Sequence, residues 1–531
     1  MDGEFDDLYQ RTAKGALFNY VAANAGILLQ FLVTLVLIKF LPVDEFGIYS
    51  LFFSTVTFLG LVSGAVLYAL ARFIPDYMAK KNYRSAKDLF GFSVKLTLAN
   101  GLLVLVLLGL FPGVFNAVFK STGFHPLYVW LFAFINFVQL LTGVFDWTLN
   151  ALLRQKPRAV MRVFYTGFVL VFAFLALSQG LSVTGLAGLT GSTGLTGPVG
   201  PLGTVLAVIL ASSLLTASIG FLSLKSALLD LPDLGAKFSD FKRVLRYGAF
   251  SQLSYLGELV TNLTIDNLLI GYFAGTTAIA WYSFGVKMPQ VLMAYSPAVV
   301  SALVVFPSVV KRFTQSKNLG ELEYFFQAYS RFTAFFVFPT LLGLVLLAPQ
   351  TIQFVFDPKY LVAVNVFIVA AVSHGLLSFR HSIVNIYNTI ERPEIGLYAK
   401  TVFLVTTAAN VLLLQSGQGI LTVALVNAAG FLVMMLLEFF LTRRKVRLRI
   451  PFRDLSATLA ATLGMGLFVY LFRDQVHSLS SLLFLVLVAA GVYAAVSLYL
   501  KPFPRQDGQL FARIGRVGRF LQAFARPEAK P

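Results

Sequence analysis

The sequence predicts an all-α polytopic membrane protein: fourteen transmembrane helices, arranged as two parallel six-helix repeats (lobes) plus two C-terminal helices. Three observations carry this. Of 531 residues, 57% are hydrophobic and only 12% are charged, about half the roughly 25% of a soluble globular chain. Apolar stretches near the ~20 residues that cross a bilayer recur along the whole chain. The two halves also match each other at a nearly constant offset.

The first six stretches cover about 16–40, 46–70, 91–111, 126–150, 160–179 and 202–224. The next six cover 247–271, 279–306, 329–348, 361–389, 397–415 and 420–442, and a last pair covers 454–472 and 480–500. Connections between them are short, so no soluble domain fits. Asp2, Glu4, Asp6 and Asp7 precede a first stretch of full span length, so no cleavable signal peptide is expected. The expected organisation is an N-lobe over 1–224 and a linker over 225–246. A C-lobe over 247–442, a helix pair over 443–500 and a basic tail over 501–531 complete it.

Charge sets the orientation. Of the 42 Lys and Arg, 33 fall on the termini and on one alternating set of loops: 71–90, 151–162, 225–246, 308–328, 390–396 and 443–453. The opposite loops hold Lys120, Lys359 and Arg473, with Lys39 at the rim. The positive-inside bias places the basic set and both termini in the cytoplasm of a multi-pass plasma-membrane protein. The net charge of +18 therefore reports loop placement, and nucleic acid is not an expected partner. In the tail, Leu510, Phe511, Ile514, Val517, Leu521 and Phe524 recur at helical spacing among Arg513, Arg516, Arg519 and Arg526. Residues 509–526 thus read as a basic amphipathic helix for the anionic inner leaflet, with a solvated tail as the alternative.

The repeat is direct. Residues 15–73 match 248–306 without a gap at thirteen of 59 positions, including Phe40/Phe273, Tyr49/Tyr282, Ser50/Ser283 and Phe73/Phe306. Pro112 and Phe119 match Pro349 and Phe356 at offset 237, and Pro157 matches Pro393 at offset 236. Six spans is an even number, so both copies enter the membrane the same way round, a transporter architecture with an axis along the membrane normal.

Several chemistries are excluded. There is no Cys, so no disulfide, thiolate metal site or cysteine nucleophile. The four His residues, His125, His374, His381 and His477, lack metal-ligand spacing, and no metal is expected. No Gly-rich Lys-Ser/Thr phosphate loop is present.

The segment Phe40-Leu-Pro-Val-Asp-Glu-Phe-Gly-Ile-Tyr-Ser50 resembles the turn between spans one and two of the polysaccharide transporter (oligosaccharide flippase) family. That family belongs to the multidrug/oligosaccharidyl-lipid/polysaccharide (MOP) flippase superfamily. Arg72-Phe-Ile-Pro-Asp-Tyr77 is similar to its next cytoplasmic loop. Thr264-Ile-Asp-Asn-Leu-Leu-Ile-Gly271, Trp281-Tyr-Ser283 and Lys287 resemble the start of its second half, although the family often carries a basic residue where Asn267 stands. The resemblance implies a flippase for polyprenyl-diphosphate-linked oligosaccharides, the precursors of O-antigen, capsule or other exopolysaccharide. It implies alternating access, no cofactor and no chemistry on the substrate.

A lipid-linked sugar needs a polar, basic path for its headgroup, so charges inside spans are informative. Glu258, Asn262 and Asp266 stand at i, i+4, i+8, within roughly 80° of one helix face. Asp266 and Glu258 are candidates for Na⁺ or H⁺ coupling, against a structural pair such as Asp266 with Lys287. Lys287 is a candidate diphosphate ligand. Arg380, with His381 beside it, is a second, against snorkelling. Asp146 sits near the repeat-equivalent position. Arg72, Asn19, Asn24 and Asn262 complete the candidate substrate-binding set, with interfacial anchoring and helix-packing hydrogen bonds as their alternatives. Pro289, Pro297, Pro307 and Pro339 offer hinges or static kinks.

Gly185 to Gly203 recur every third residue, a Gly-X-Y register too short for a convincing triple helix and read as a flexible external loop. A lipid II flippase and a cation-coupled multidrug antiporter of the same superfamily are the competing transporters. A membrane glycosyltransferase, suggested by Asp44-Glu45, ranks below both, and no enzyme activity is expected. A monomer is expected.

Overall fold

The computed structural model describes residues 25–110, 118–119, 125–180, 200–249, 263–294, 313, 318–512 and 521–527. Asn19, Asn24, Glu258, Asn262, Pro297, Pro307, the Gly185–Gly197 repeat and the middle of the basic tail lie outside them.

Helix dominates, and the one β-bridge among the described residues joins Phe503 to Ala525. The first helices are α1 (Ala25–Phe40), α2 (Val43–Leu59), α3 (Leu61–Ala79), α4 (Tyr83–Leu110), α5 (Pro126–Ala151), α6 (Gln155–Ser178) and α7 (Pro201–Leu224). A helix over 241–249 (α8), α9 (Leu263–Ala274), α10 (Thr276–Ala294), α11 (Leu319–Leu346) and α12 (Val364–Thr389) follow. The series ends with α13 (Glu394–Gln415), α14 (Ile420–Arg443), α15 (Phe452–Phe472), α16 (Leu479–Leu500) and α17 (Arg505–Ala512). Among the described residues ten helices are long and apolar enough to cross a membrane, and α1 and α9 are shorter apolar helices. The chain is an all-helical polytopic membrane protein.

Local chemistry sets the helix starts. His125 Nδ1 accepts from Leu127 N at 3.2 Å, with Pro126 in the first turn where its missing N–H costs nothing. Asn318 caps α11 through Gly320 N at 2.9 Å, and Ser478 and Ser481 form a capping box at α16. Many hydroxyls in the apolar helices bond back to carbonyls four residues earlier, as Ser54 to Ser50 and Thr148 to Val144, which satisfies them within their own helix. Large apolar side chains such as Leu103, Phe172, Val405, Leu467 and Leu487 stand exposed, as a lipid solvent requires.

The chain separates into two compact units, Met1–Ala280 and Trp281–Pro531. In the first, α5 packs against α4 and α7, and α6 packs against α7. Its main core gathers Phe73, Ile74, Leu89, Phe145, Leu149 and Phe238. Also in this unit, α9 packs against α2. In the second, α12 packs between α11 and α14, and α15 between α11 and α16.

Three sequence expectations change. The stretch 46–70 is two helices meeting at Gly60, and the second continues through Pro75 to Ala79. Arg72–Tyr77, expected in a loop, is helical because Phe73 and Ile74 bury in the core and hold that turn in place. In the tail, Leu521 and Phe524, two members of the apolar face expected to meet lipid, are buried against protein. Phe524 and Phe503 each lie 5.1 Å from the ring of Phe335, between centroids.

Candidate functional site

Two groups of polar side chains stand on the apolar helices α10, α12, α13 and α14 of the second unit. Arg380 of α12 grips Glu438 of α14 with Nε and Nη2, both at 2.7 Å. The Tyr387 hydroxyl donates to the same carboxylate at 3.4 Å, and Glu438 is fully buried. This two-bond fork is the strongest geometry available to a guanidinium and a carboxylate. His381, the next residue, faces the helix exterior, about 100° further round. Nearby in the fold, Asn410 donates to Asn427 at 3.1 Å, and Asn427 donates to the Tyr282 hydroxyl at 2.9 Å. These bonds tie α13, α14 and α10 together.

Lys287 stands on α10, half-buried, two residues before Pro289 and five after Tyr282. Within its unit no described carboxylate is in ion-pair range. A cation in an apolar helix with no described counter-ion carries a standing desolvation cost.

In the first unit Asp266 and Asn267 are both buried on α9. Asn267 Nδ2 donates to Ser54 Oγ of α2 at 3.0 Å. Asp146, at the end of α5, takes the fork of Arg158 at 2.9 and 3.1 Å and a third contact from Arg162 at 3.2 Å. Arg158 also donates to Asn150 at 2.8 Å, so Asp146 is part of a structural cluster between α5 and α6. Arg72 is exposed on α3, its guanidinium 5.9 Å from the ring of Phe73.

Asp44 and Glu45, the acidic pair that suggested an enzyme, are both engaged in structure. Glu45 accepts from Leu202 N at 2.7 Å and so caps the N-terminus of α7, where the helix dipole favours a carboxylate. Burial pushes the Glu45 carboxyl up from its ordinary value, and the Leu202 N–H opposes that rise. Asp44 accepts from the Thr277 hydroxyl at the start of α10. At Gly47, one turn later, a Cβ would collide with the Thr276 carbonyl, so glycine permits this close backbone approach. Among the described residues no group of three His, Asp or Glu could hold a metal ion.

Sequence reasoning passed over Glu438, Asn427, Arg331, Asp454 and Asp507. A lone carboxylate inside Leu436-Leu-Glu-Phe-Phe440 was a usable signal for Glu438, because an unpaired charge there is costly. Arg331, 4% exposed, binds Asp507 of α17 through Nε at 2.6 Å and Nη2 at 2.9 Å. It also reaches Asp454 at 3.4 Å, which in turn accepts from Arg526 at 2.6 Å.

Comparison with known proteins follows this geometry. Residues 202–365 match the polysaccharide biosynthesis protein family. Teichuronic acid biosynthesis protein TuaB of Bacillus subtilis (strain 168) is 26% identical over 284 residues, 52% of this chain and 57% of that one. An uncharacterized membrane protein, MJ1068 of Methanocaldococcus jannaschii, is 26% identical over 203 residues, 38% of this chain and 39% of its own. The chain thus spans 57% and 39% of these relatives' lengths. Among solved structures, the lipid II flippase MurJ in an inward closed conformation superposes with a TM-score of 0.67 at 17% identity, over 91% of this chain and 98% of that one. An inward-facing multidrug resistance MATE transporter of the MOP superfamily gives 0.62 at 16% identity, over 79% and 94%.

Proposed function

From a chain with the MOP-superfamily fold, matching the polysaccharide biosynthesis protein family over 202–365, we propose a flippase. It carries a polyprenyl-diphosphate-linked oligosaccharide from the inner to the outer leaflet of the plasma membrane by alternating access, without ATP. The observation that carries the reading is Lys287, a cation inside an apolar helix with no described carboxylate paired to it in its unit. A substrate diphosphate supplies the anion that this lysine lacks. Arg380 is held in a fork by Glu438, so it presents an oriented, partly neutralised guanidinium, a weaker phosphate ligand than Lys287.

The alternating-access reading draws on the repeat. Asp44 and Thr277, equivalent at the 233-residue offset, hydrogen-bond to each other. Two equivalent residues of a two-fold arrangement can touch only beside its axis. An equivalence of this kind supports a six-span repeat, with both termini on the inside. Spans 13 and 14 then lie outside the duplication. Asp266, buried on α9, is the candidate for Na⁺ or H⁺ coupling.

The test is reconstitution in liposomes with a fluorescent polyprenyl-diphosphate oligosaccharide in one leaflet, followed by its accessibility to an impermeant glycan-modifying reagent. Protein-dependent transfer without ATP, reduced at least tenfold in Lys287→Ala, is expected. Dye efflux without lipid transfer would identify a drug antiporter instead. Asp266→Asn should abolish the dependence of transfer on an ion gradient.

A further inference from the structure

A second cationic feature lies apart from the helices that carry Lys287 and Arg380. The loop before α8 and α8 itself line a cavity of about 620 Å³ with Ser239, Asp240, Lys242, Arg243, Arg246 and Tyr247. Three cations face one carboxylate there. Lys242 and Arg243 form no ion pair with a described carboxylate. The helix is anchored by Val244, which is 1% exposed, and by Phe241 packed against Phe92 at 5.1 Å and Phe238 at 4.4 Å. The ring of Phe73 organises the neighbouring charges: Arg243 lies 5.4 Å from its centroid, Arg72 5.9 Å, and Tyr247 packs edge-on at 5.6 Å. Both guanidinia also lie close enough to Asp76 to help Lys80 hold its carboxyl below the usual range.

Apolar side chains surround this charge on the outside. Phe241, Leu245 and Tyr247 are 42–43% exposed on the same short helix. A site for a free anion needs no such rim. An anionic headgroup on an apolar tail needs both parts, the cations for the phosphate oxygens and the rim for the first segment of chain. The Lys/Arg bias assigns this helix to the cytoplasmic surface, where a lipid-linked precursor enters.

We propose that the α8 cavity is a phosphate-headgroup site at the inner membrane surface, in which Lys242, Arg243 and Arg246 bind the diphosphate of a lipid-linked precursor. The Phe73 ring holds Arg243 in position. The site extends the flippase reading by giving the substrate a loading station. A cavity of this size accommodates a diphosphate and the sugar attached to it.

Equilibrium binding tests the site without transport. The full chain in phosphatidylcholine nanodiscs is titrated with farnesyl diphosphate and scored by native mass spectrometry. Arg243→Gln/Arg246→Gln should weaken binding roughly tenfold, and Arg243→Lys/Arg246→Lys should restore most of it. Asp240→Asn, which removes the carboxylate from the lining, should tighten binding about threefold. Inorganic pyrophosphate should compete weakly and farnesol not at all. Competition by phosphatidylglycerol as strong as by farnesyl diphosphate would support the headgroup chemistry but assign it to bulk anionic lipid. Equal binding of farnesol would overturn the proposal. So would unchanged affinity in the glutamine double variant with wild-type elution and melting. Should that variant fail to fold, an unchanged affinity in Asp240→Asn would overturn it. A wild-type chain that binds but never flips refutes the flippase reading and leaves this site standing.

Discussion

Asp507→Ala should release the C-terminal segment from the body of the second unit. Asp507 is 3% exposed and supplies both oxygens to Arg331, and its Oδ1 also accepts from the Tyr324 hydroxyl at 2.8 Å. Removing one partner of a buried pair costs about 3–5 kcal/mol, because the remaining charge stays buried. Asp454 still offers Arg331 one contact at 3.4 Å, which places the loss near the lower end, about 3 kcal/mol. Loss of the Tyr324 bond adds roughly 1 kcal/mol at most, since that hydroxyl can turn to water. At about 1.4 kcal/mol per decade, the undocked population should rise at least a hundredfold. The readout is hydrogen exchange at Phe503 and Arg526, whose amides bond to Phe524 O at 3.4 Å and Phe503 O at 3.0 Å. Both should exchange roughly a hundredfold faster in the variant if opening limits exchange. Arg331→Met/Asp507→Leu should recover most of the protection, because replacing both charges with apolar groups of similar volume is close to neutral. Exchange within a few-fold of wild type in Asp507→Ala would refute the reasoning, as would a double variant no better than the single.

Three further outcomes are expected. Glu438→Leu should destabilise the protein by about 3 kcal/mol and Arg380→Met/Glu438→Leu by much less, read as melting temperature in detergent; equal losses would show that the pair is uncoupled. Gly47→Ala should cost about 1–3 kcal/mol by forcing the start of α10 away from α2, and should raise labelling of a cysteine placed at Thr277; unchanged labelling would contradict a closed contact there. Burial raises the folded-state pKa of Glu45 above its ordinary 4.5, so the native state holds the proton more tightly and stability falls as pH rises through that interval. Glu45→Gln should flatten this slope while costing about 1 kcal/mol of α7 capping, and an unaltered pH profile would rule out Glu45 as its source.

Composition and periodicity made the membrane helices legible, because a bilayer demands long apolar segments whatever the tertiary packing. The MOP-superfamily resemblance was likewise readable from short segments in order, and the fold comparison agrees with it. Helix ends were less legible. Whether Arg72–Tyr77 is loop or helix depends on what Phe73 and Ile74 pack against, and those partners come from distant helices.

The sequence by itself determined that the chain lives in lipid, where along it the charges fall, and that residues 15–73 match 248–306 at thirteen of 59 positions. Only the tertiary structure decided which buried charges hold each other. Arg380 meets Glu438 across 58 residues of chain, and Arg331 meets Asp507 across 176. No local periodicity encodes such pairs, because they depend on the rotation of each helix about its own axis in the packed bundle. The same holds for Lys287, which has no described carboxylate beside it in its unit, a property of the space around it.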